Sequence, residues 1–325
     1  MFKDLCSRLV CGVVVLAGLA LTDPAEAAAS GGAGDNAATV KVTRGGELKG
    51  KFAFALGAFR VAFVTQDAAA AAARGIFGGS AAKISAELVG VDRALMQKIA
   101  DAIYADFLKQ AAARGYTVVE SSSLLKTSAA YAALNPAENF TVGRLGTFVI
   151  PSGQRSVALA SDARAKEEKG TGGFAARFNI VSDQVAKAPA YEAFPVAADQ
   201  AGVPILAVTI AVNFANFKAS SSLGGSKASL AVGATIDGRN KLEILPSTAI
   251  LAWDKGTGSC ALCQAQFGLE GQIYSDAVIG SYDGSGTQNN QTGTVTADPV
   301  AYEKSVLAVA AQATDLLLGA VVAER

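Results

Sequence analysis

Residues 91–119 read VDRALMQKIADAIYADFLKQAAARGYTVV, and this stretch decides the fold class. Leu95, Ile99, Ile103 and Phe107 recur at every fourth position, with Met96 and Leu108 beside that stripe, so a helix over Val91 to Arg114 has one apolar face. Asp92 is placed to cap its start, and Gly115 stands where a helix ends in the left-handed conformation. Tyr116-Thr117-Val118-Val119 follows at once as a β-rich run. Upstream, Phe59-Arg60-Val61-Ala62-Phe63-Val64 alternates, placing Phe59, Val61 and Phe63 on one face of a half-buried strand. Strand, amphipathic helix, strand is a βαβ-like unit, whose strands are normally parallel and whose crossover is right-handed.

Working outward, the period changes after Val203. Ile205 to Phe214 alternates as a long strand with Val208, Ile210, Val212 and Phe214 on one side and Thr209 and Asn213 on the other. Leu230, Val232, Ala234 and Ile236 alternate in the next strand, with Leu223-Gly224-Gly225-Ser226-Lys227 as the turn between the two. Asp237-Gly238-Arg239-Asn240 is a turn signature that predicts a return strand over Lys241 to Trp253, and Ala265 to Ile279 offers one more. Ser281 to Thr294 is polar and glycine-rich, which predicts a surface loop. Pro299 then opens a C-terminal helix whose buried stripe is Val306, Val309, Ala313 and Leu317. The fold class is therefore α+β: a strand-helix-strand unit, then an antiparallel meander and a closing helix.

The remaining segments are less patterned. Residues 28–50 carry few large apolar side chains and predict a flexible N-terminus, with order beginning near Lys51. Asp67 to Ser80 is an alanine run ending in Gly-Gly-Ser, expected as a short helix or a loop. A variable middle at about 120–200 holds a helix over Ser121 to Leu134, a strand pair over Phe140 to Ile150, a charged loop at Arg164 to Gly173 and helical pieces from Ser182 to Ala198. Residues 51–325 form one domain on this reading.

The first residues predict export. Lys3 and Arg8 form a basic start, Leu9 to Leu21 an apolar run, and Ala25-Glu26-Ala27 a small-x-small cleavage site, so residues 1–27 read as a cleaved signal peptide. The apolar run is shorter than the roughly 20 residues that span a bilayer. Removal takes two of 28 bases (Lys3, Arg8) and three of 28 acids (Asp4, Asp23, Glu26), leaving a nearly neutral chain. That balance gives no electrostatic case for nucleic acid. No later run of 18 apolar residues predicts a membrane-spanning helix. The expected location is the periplasm or the exterior.

The chain has no histidine among its 325 residues, which excludes Ser-His-Asp and Cys-His catalysis and the usual zinc sites. Cys260-Ala261-Leu262-Cys263 is the one compact constellation remaining after the leader. In an oxidising compartment such a pair reads as a structural disulfide ahead of a redox pair or a half-filled metal site. The acids Asp237, Glu243, Asp254, Glu270 and Asp276 fall at hairpin ends or on strands, where solvated carboxylates belong, and nothing selects a glycosidase pair among them. Asp283-Gly284-Ser285-Gly286 lacks the alternating acids of a calcium loop. No catalytic, cofactor-binding or metal residue is assigned, and no cofactor is expected.

The order of elements over residues 59–320 resembles the periplasmic domain of curli-type outer-membrane secretion lipoproteins and the related N-terminal domain of the Tol-system β-propeller protein. Arg60-Val61-Ala62-Phe63-Val64 matches their opening strand, and Tyr116 to Val119 the strand after their amphipathic helix. The resemblance implies a part in envelope assembly, with association at the outer membrane. The chain departs from the lipoproteins in having Leu19, where a lipidated cysteine would follow Leu16-Ala17-Gly18. The function expected is a non-enzymatic exported protein that supports assembly, secretion or transport by binding an envelope protein or a lipid. The alternative is a secreted, carboxylate-dependent hydrolase. A deep apolar cavity would favour lipid, and a flat exposed patch would favour assembly.

Overall fold

Two strands, β2 (Ala53–Val64) and β8 (Ile205–Ser222), form the parallel spine of the molecule. The computed structural model describes residues 38–75, 78–142, 146–157, 189–222, 225–237, 248–254 and 264–324. Around the spine the main sheet runs β1 (Thr39–Thr43), β11 (Ala265–Glu270), β10 (Ala249–Trp253), β8, β2, β7 (Gly146–Val149), β6 (Phe140–Val142). Strand β5 (Thr117–Val119), which follows helix α1 (Arg93–Ala113), pairs in parallel with the start of β2. A second sheet has the order β13 (Gly280–Thr287), β14 (Asn290–Ala297), β4 (Gly78–Val89), β3 (Gln66–Gly75). Fold class α+β holds at this level, and residues 33–325 cluster as one unit.

Helix α1 follows its sequence signals closely. The Asp92 carboxylate accepts from the backbone N–H of Leu95 at 2.8 Å, and Gly115 takes φ +80° just past its end. Met96, Ile99, Ile103 and Phe107 are buried. The C-terminal helix α5 (Pro299–Ala323) has Pro299 in its first turn, and Asp298 caps Val300 and Ala301. It is long and apolar enough to cross a membrane by length and composition, with a mean hydropathy of 1.9 over its most apolar window. Its stripe of Val306, Val309, Ala313 and Leu317 is nevertheless buried in the protein core.

The main sheet is covered on both faces. One side of β2 contributes Phe54, Leu56, Phe59, Val61 and Phe63 to a large core shared with α1, α5 and the second sheet. The other contributes Ala55 and Ala58 to a smaller core with Leu124, Tyr131, Phe194 and Trp253. Those side chains come from α2 (Ser121–Thr127), α3 (Ala129–Ala132), α4 (Pro189–Ala201) and β10. The strand over Phe59 to Val64 is thus fully buried, and the half-buried expectation is corrected. A bulge between Leu56 and Ala58 changes which alternate residues face the large core, and Gly57 sits in it. The Gly57 carbonyl accepts the Tyr131 hydroxyl at 2.8 Å.

Several other expectations need correction. The ordered chain begins before Lys51: β1 starts at Thr39 and pairs antiparallel with β11, because Val40 and Val42 pack against the large core. The alanine run at Asp67 to Ser80 is neither helix nor loop but β3 and the start of β4, a hairpin over Gln66↔Glu87 to Gly75↔Gly78. Alanine's helix preference yields here to cross-strand pairing and to a close approach against β8. Ser281 to Thr294 is likewise a hairpin, β13–β14, with β14 parallel to β4.

The meander also differs in detail. Both β9 (Gly225–Asp237) and β10 run antiparallel to β8, β9 along its second half and β10 along its first. The expected return strand therefore continues in the direction of β9 instead of turning back. The last expected strand is two pieces, β11 and β12 (Gln272–Tyr274), divided at Gly271 with φ +82°. The turn Asp237-Gly238-Arg239-Asn240 falls from Gly238 onward outside the described residues. So do the signal peptide, residues 28–37 and the loop at Arg164 to Gly173.

Candidate functional site

The second sheet carries an open concavity on its outer face. Its inner face carries Ile84, Ala86, Leu88 and Val295, all buried in the large core. Strand alternation then sends the neighbouring residues outward. The register aligns Gln66, Glu87, Thr294 and Asp283 in one row across four strands, and Ala68, Ser85, Thr292 and Ser285 in the next. A third row is Ala70, Lys83, Asn290 and Thr287. The twist of this sheet leaves an open cleft of about 630 Å³ lined by the first two rows.

Small residues shape the cleft from behind. A Cβ at Gly284 or Gly293 would meet the Tyr282 ring at 2.5 or 2.4 Å. The ring therefore lies along the inner side of these two paired glycines, and burial together with the charge of Asp283 raises the Tyr282 pKa. On the rim, Asp67 faces inward. It accepts the N–H of Ala68 at 2.7 Å, and the Asn213 amide donates to its carboxylate, tying β3 to the irregular point of β8.

The chemistry of the surface is uniform. Hydroxyls of Ser85, Ser285, Thr292 and Thr294, the amide of Gln66 and the carboxylates of Glu87 and Asp283 line it. Ser85 and Thr292 share a hydroxyl–hydroxyl hydrogen bond of 3.3 Å. Glu87 and Asp283 are exposed, and neither has a Lys or Arg partner among the described residues. Among the described residues that line the cleft there is no aromatic ring. Among the described residues no group of three or more His, Cys, Asp or Glu side chains is arranged to hold a metal ion.

The acids singled out from the sequence do not converge here. Asp254 pairs with Lys51 at 3.0 Å, and Glu270 with Lys41 at 3.9 Å, at different places on the main sheet. Asp276 is exposed beyond β12. The side chains of Asp237 and Glu243 lie outside the described residues, as do Cys260 and Cys263. Of the cleft acids, Glu87 has no part in the sequence reading, and Asp283 enters it only as part of a stretch that falls short of a calcium loop. Their only advance signal is the T-x-T-x-T alternation of Thr292, Thr294 and Thr296, a polar strand pattern that begins inside the predicted loop and runs past its end.

Comparison with known proteins returns no match to a family model, to a curated protein or to a solved structure.

Proposed function

We propose that this chain is an exported, non-enzymatic envelope protein that supports assembly, secretion or transport by holding a partner protein against the outer face of the β13-β14-β4-β3 sheet. The observation that carries this reading is the character of the cleft: open, and lined by hydroxyl, amide and carboxylate side chains with small residues between them, in place of a deep apolar cavity suited to a lipid. The leader at residues 1–27 supports the compartment, and the absence of histidine supports the lack of catalysis. The parallel pairing of β5 with β2 across α1 supports the likeness to curli-type secretion lipoproteins and the Tol-system domain. In an oxidising compartment, Cys260 and Cys263 would close a small disulfide.

The second reading, a carboxylate-dependent hydrolase, has one observation in its favour. Glu87 and Asp283 stand two strands apart in one row, which at about 4.8 Å per strand puts their α-carbons roughly 10 Å apart, a separation from which two carboxyl groups can reach the spacing of an inverting pair. Against it, both acids are exposed in an open cleft that does not exclude water.

One experiment tests both. The chain is expressed with its leader and recovered by osmotic shock, and partners are retained by crosslinking in intact cells. The proposed function predicts a mature protein in the shock fluid and a specific protein adduct that is lost in the Glu87→Lys, Asp283→Lys double variant. Bait alone, or a chain retained in the cytoplasm, contradicts it. Glycan hydrolysis abolished by Glu87→Gln would establish the second reading instead.

A further inference from the structure

The cleft adjoins a feature that narrows the kind of partner. Strand β13 forms one edge of the second sheet and has a hydrogen-bonded neighbour, β14, on one side only among the described residues. Edge strands in natural proteins are commonly guarded by lysine, proline, a bulge or short length, because their free N–H and C=O groups template a further strand. Strand β13 has no Lys or Pro and no register bulge, and its one guarding charge is Asp283. It runs for eight residues, Gly280-Ser281-Tyr282-Asp283-Gly284-Ser285-Gly286-Thr287, with no Lys, Arg or Pro. Its register with β14 is unbroken from Gly280↔Ala297 to Thr287↔Asn290. The other edges differ. Strand β1 has five residues and carries Lys41, β5, β6 and β12 have three each, and β3 lies against β8 and carries Arg74.

Charge selects among occupants for this edge. Asp283 points to the outer face from the middle of β13, and Glu87 lies in the same row. A second copy of β13 would bring another Asp283 close to this one, and like charges across strands are destabilising. A basic residue opposite Asp283 would instead form a cross-strand ion pair at directly facing positions.

We propose that β13 is the docking edge for an extended, basic segment of a partner protein, which adds as a fifth strand of this sheet with a Lys or Arg facing Asp283. Main-chain hydrogen bonds along Gly280 to Thr287 hold the segment, and alternate side chains lie over Ser281, Asp283 and Ser285. Glycines at 280, 284 and 286 leave Tyr282 as the one large side chain on β13. This inference rests on the reading of the protein as a partner-binding component and names the surface and chemistry of that contact.

The test uses the purified full chain and synthetic peptides matched to β13 in length: one alternating Thr and Lys, one alternating Thr and Glu, and the Lys peptide interrupted by proline. The expected result is saturable binding of the Thr/Lys peptide alone, with slowed amide exchange across Gly280 to Thr287. Asp283→Lys, an exposed change that leaves the sheet intact, is expected to weaken binding on the order of tenfold. Three results overturn the proposal: no binding of the Thr/Lys peptide, equal binding of the proline-interrupted peptide, or binding without protection of β13. Concentration-dependent protection of β13 in the free chain overturns it too, because a second copy would then occupy the edge. If the peptide docks at β13 but no envelope partner is ever captured, the proposed function fails and the edge stands. If an envelope partner is captured equally by the Asp283→Lys chain, the edge fails and the function stands.

Discussion

Gly57 shows how one backbone position divides a strand between two cores. It lies in the β2 bulge, where Phe54 and Leu56 give way to Phe59, Val61 and Phe63 as the residues facing the large core. A methyl group there would stand 2.5 Å from the Ile205 side chain and 2.9 Å from the Phe194 ring. Phe194 is itself fixed edge-on against Trp253, with ring centroids 4.8 Å apart. Gly57→Ala is therefore expected to destabilise the protein by about 1–3 kcal/mol, read as a lower denaturant midpoint. The buried tyrosines make a pH prediction at the same scale. Burial, reinforced by the charge of Glu120, pushes the Tyr104 hydroxyl up to about 12, and burial also raises Tyr131 and Tyr302. An unfolded tyrosine ionises near its ordinary value of 10.0, so above that pH the unfolded chain gives up protons that the folded chain retains. Stability from these residues is complete below pH 10 and falls as pH rises towards and past 12. Thermal melts from pH 8 upward are expected to show that decline, and Tyr104→Phe with Tyr302→Phe to flatten it. Asp101 acts at the acid end. Partial burial raises it, but hydrogen bonds from the Ser152 backbone at 2.7 Å, the Gln97 amide at 2.9 Å and the Ser152 hydroxyl at 2.9 Å hold it below 3.8 overall. Its contribution is present above that value and lost as pH falls through the lowered one.

Among the elements, legibility in the sequence tracks how local the signal is. Helix α1, the α5 stripe and the face of β8 carry their information within a few residues: a cap, a period, a terminal glycine. The second sheet does not. Its parallel pairing of β4 with β14 joins Ser85 to Thr292, 207 positions apart, and neither strand is apolar on its outer face. Alanine in β3 and glycine with serine in β13 carry weak strand preference, so local reading favours helix or loop. What holds these strands is the approach of two sheets through small side chains. The Ser80 and Ser221 hydroxyls bond at 2.8 Å, Ser221 also donates to the Ser80 carbonyl at 2.8 Å, and Ser226 donates to the Ala81 carbonyl at 2.9 Å. Ala82 is almost fully buried in this contact. Ala82→Leu is accordingly expected to cost about 1–3 kcal/mol and to speed amide exchange in β3 and β4 while leaving α1 protected. An undisturbed melting temperature would show that the sheets are not closely packed there. The cleft was illegible for the same reason, because Glu87 and Asp283 become row neighbours only through that long-range register.

For the whole molecule, β2 and β8 serve two layers. Their paired halves carry helices on both faces, and beyond Phe63↔Val212 the chain passes into hairpins whose outer face is polar. The half packed on both faces carries the half with the polar outer face, an arrangement that suits a protein presenting a surface to a partner better than one that encloses a substrate. That presentation is the central claim, and site-specific photocrosslinking in intact cells tests it most directly. A photoreactive residue at exposed Ser285, beside the β13 edge, is compared with one at exposed Lys126 on α2. The account predicts a discrete protein adduct from position 285 and none from position 126. Adducts of equal yield at both positions, or none at position 285, would contradict it.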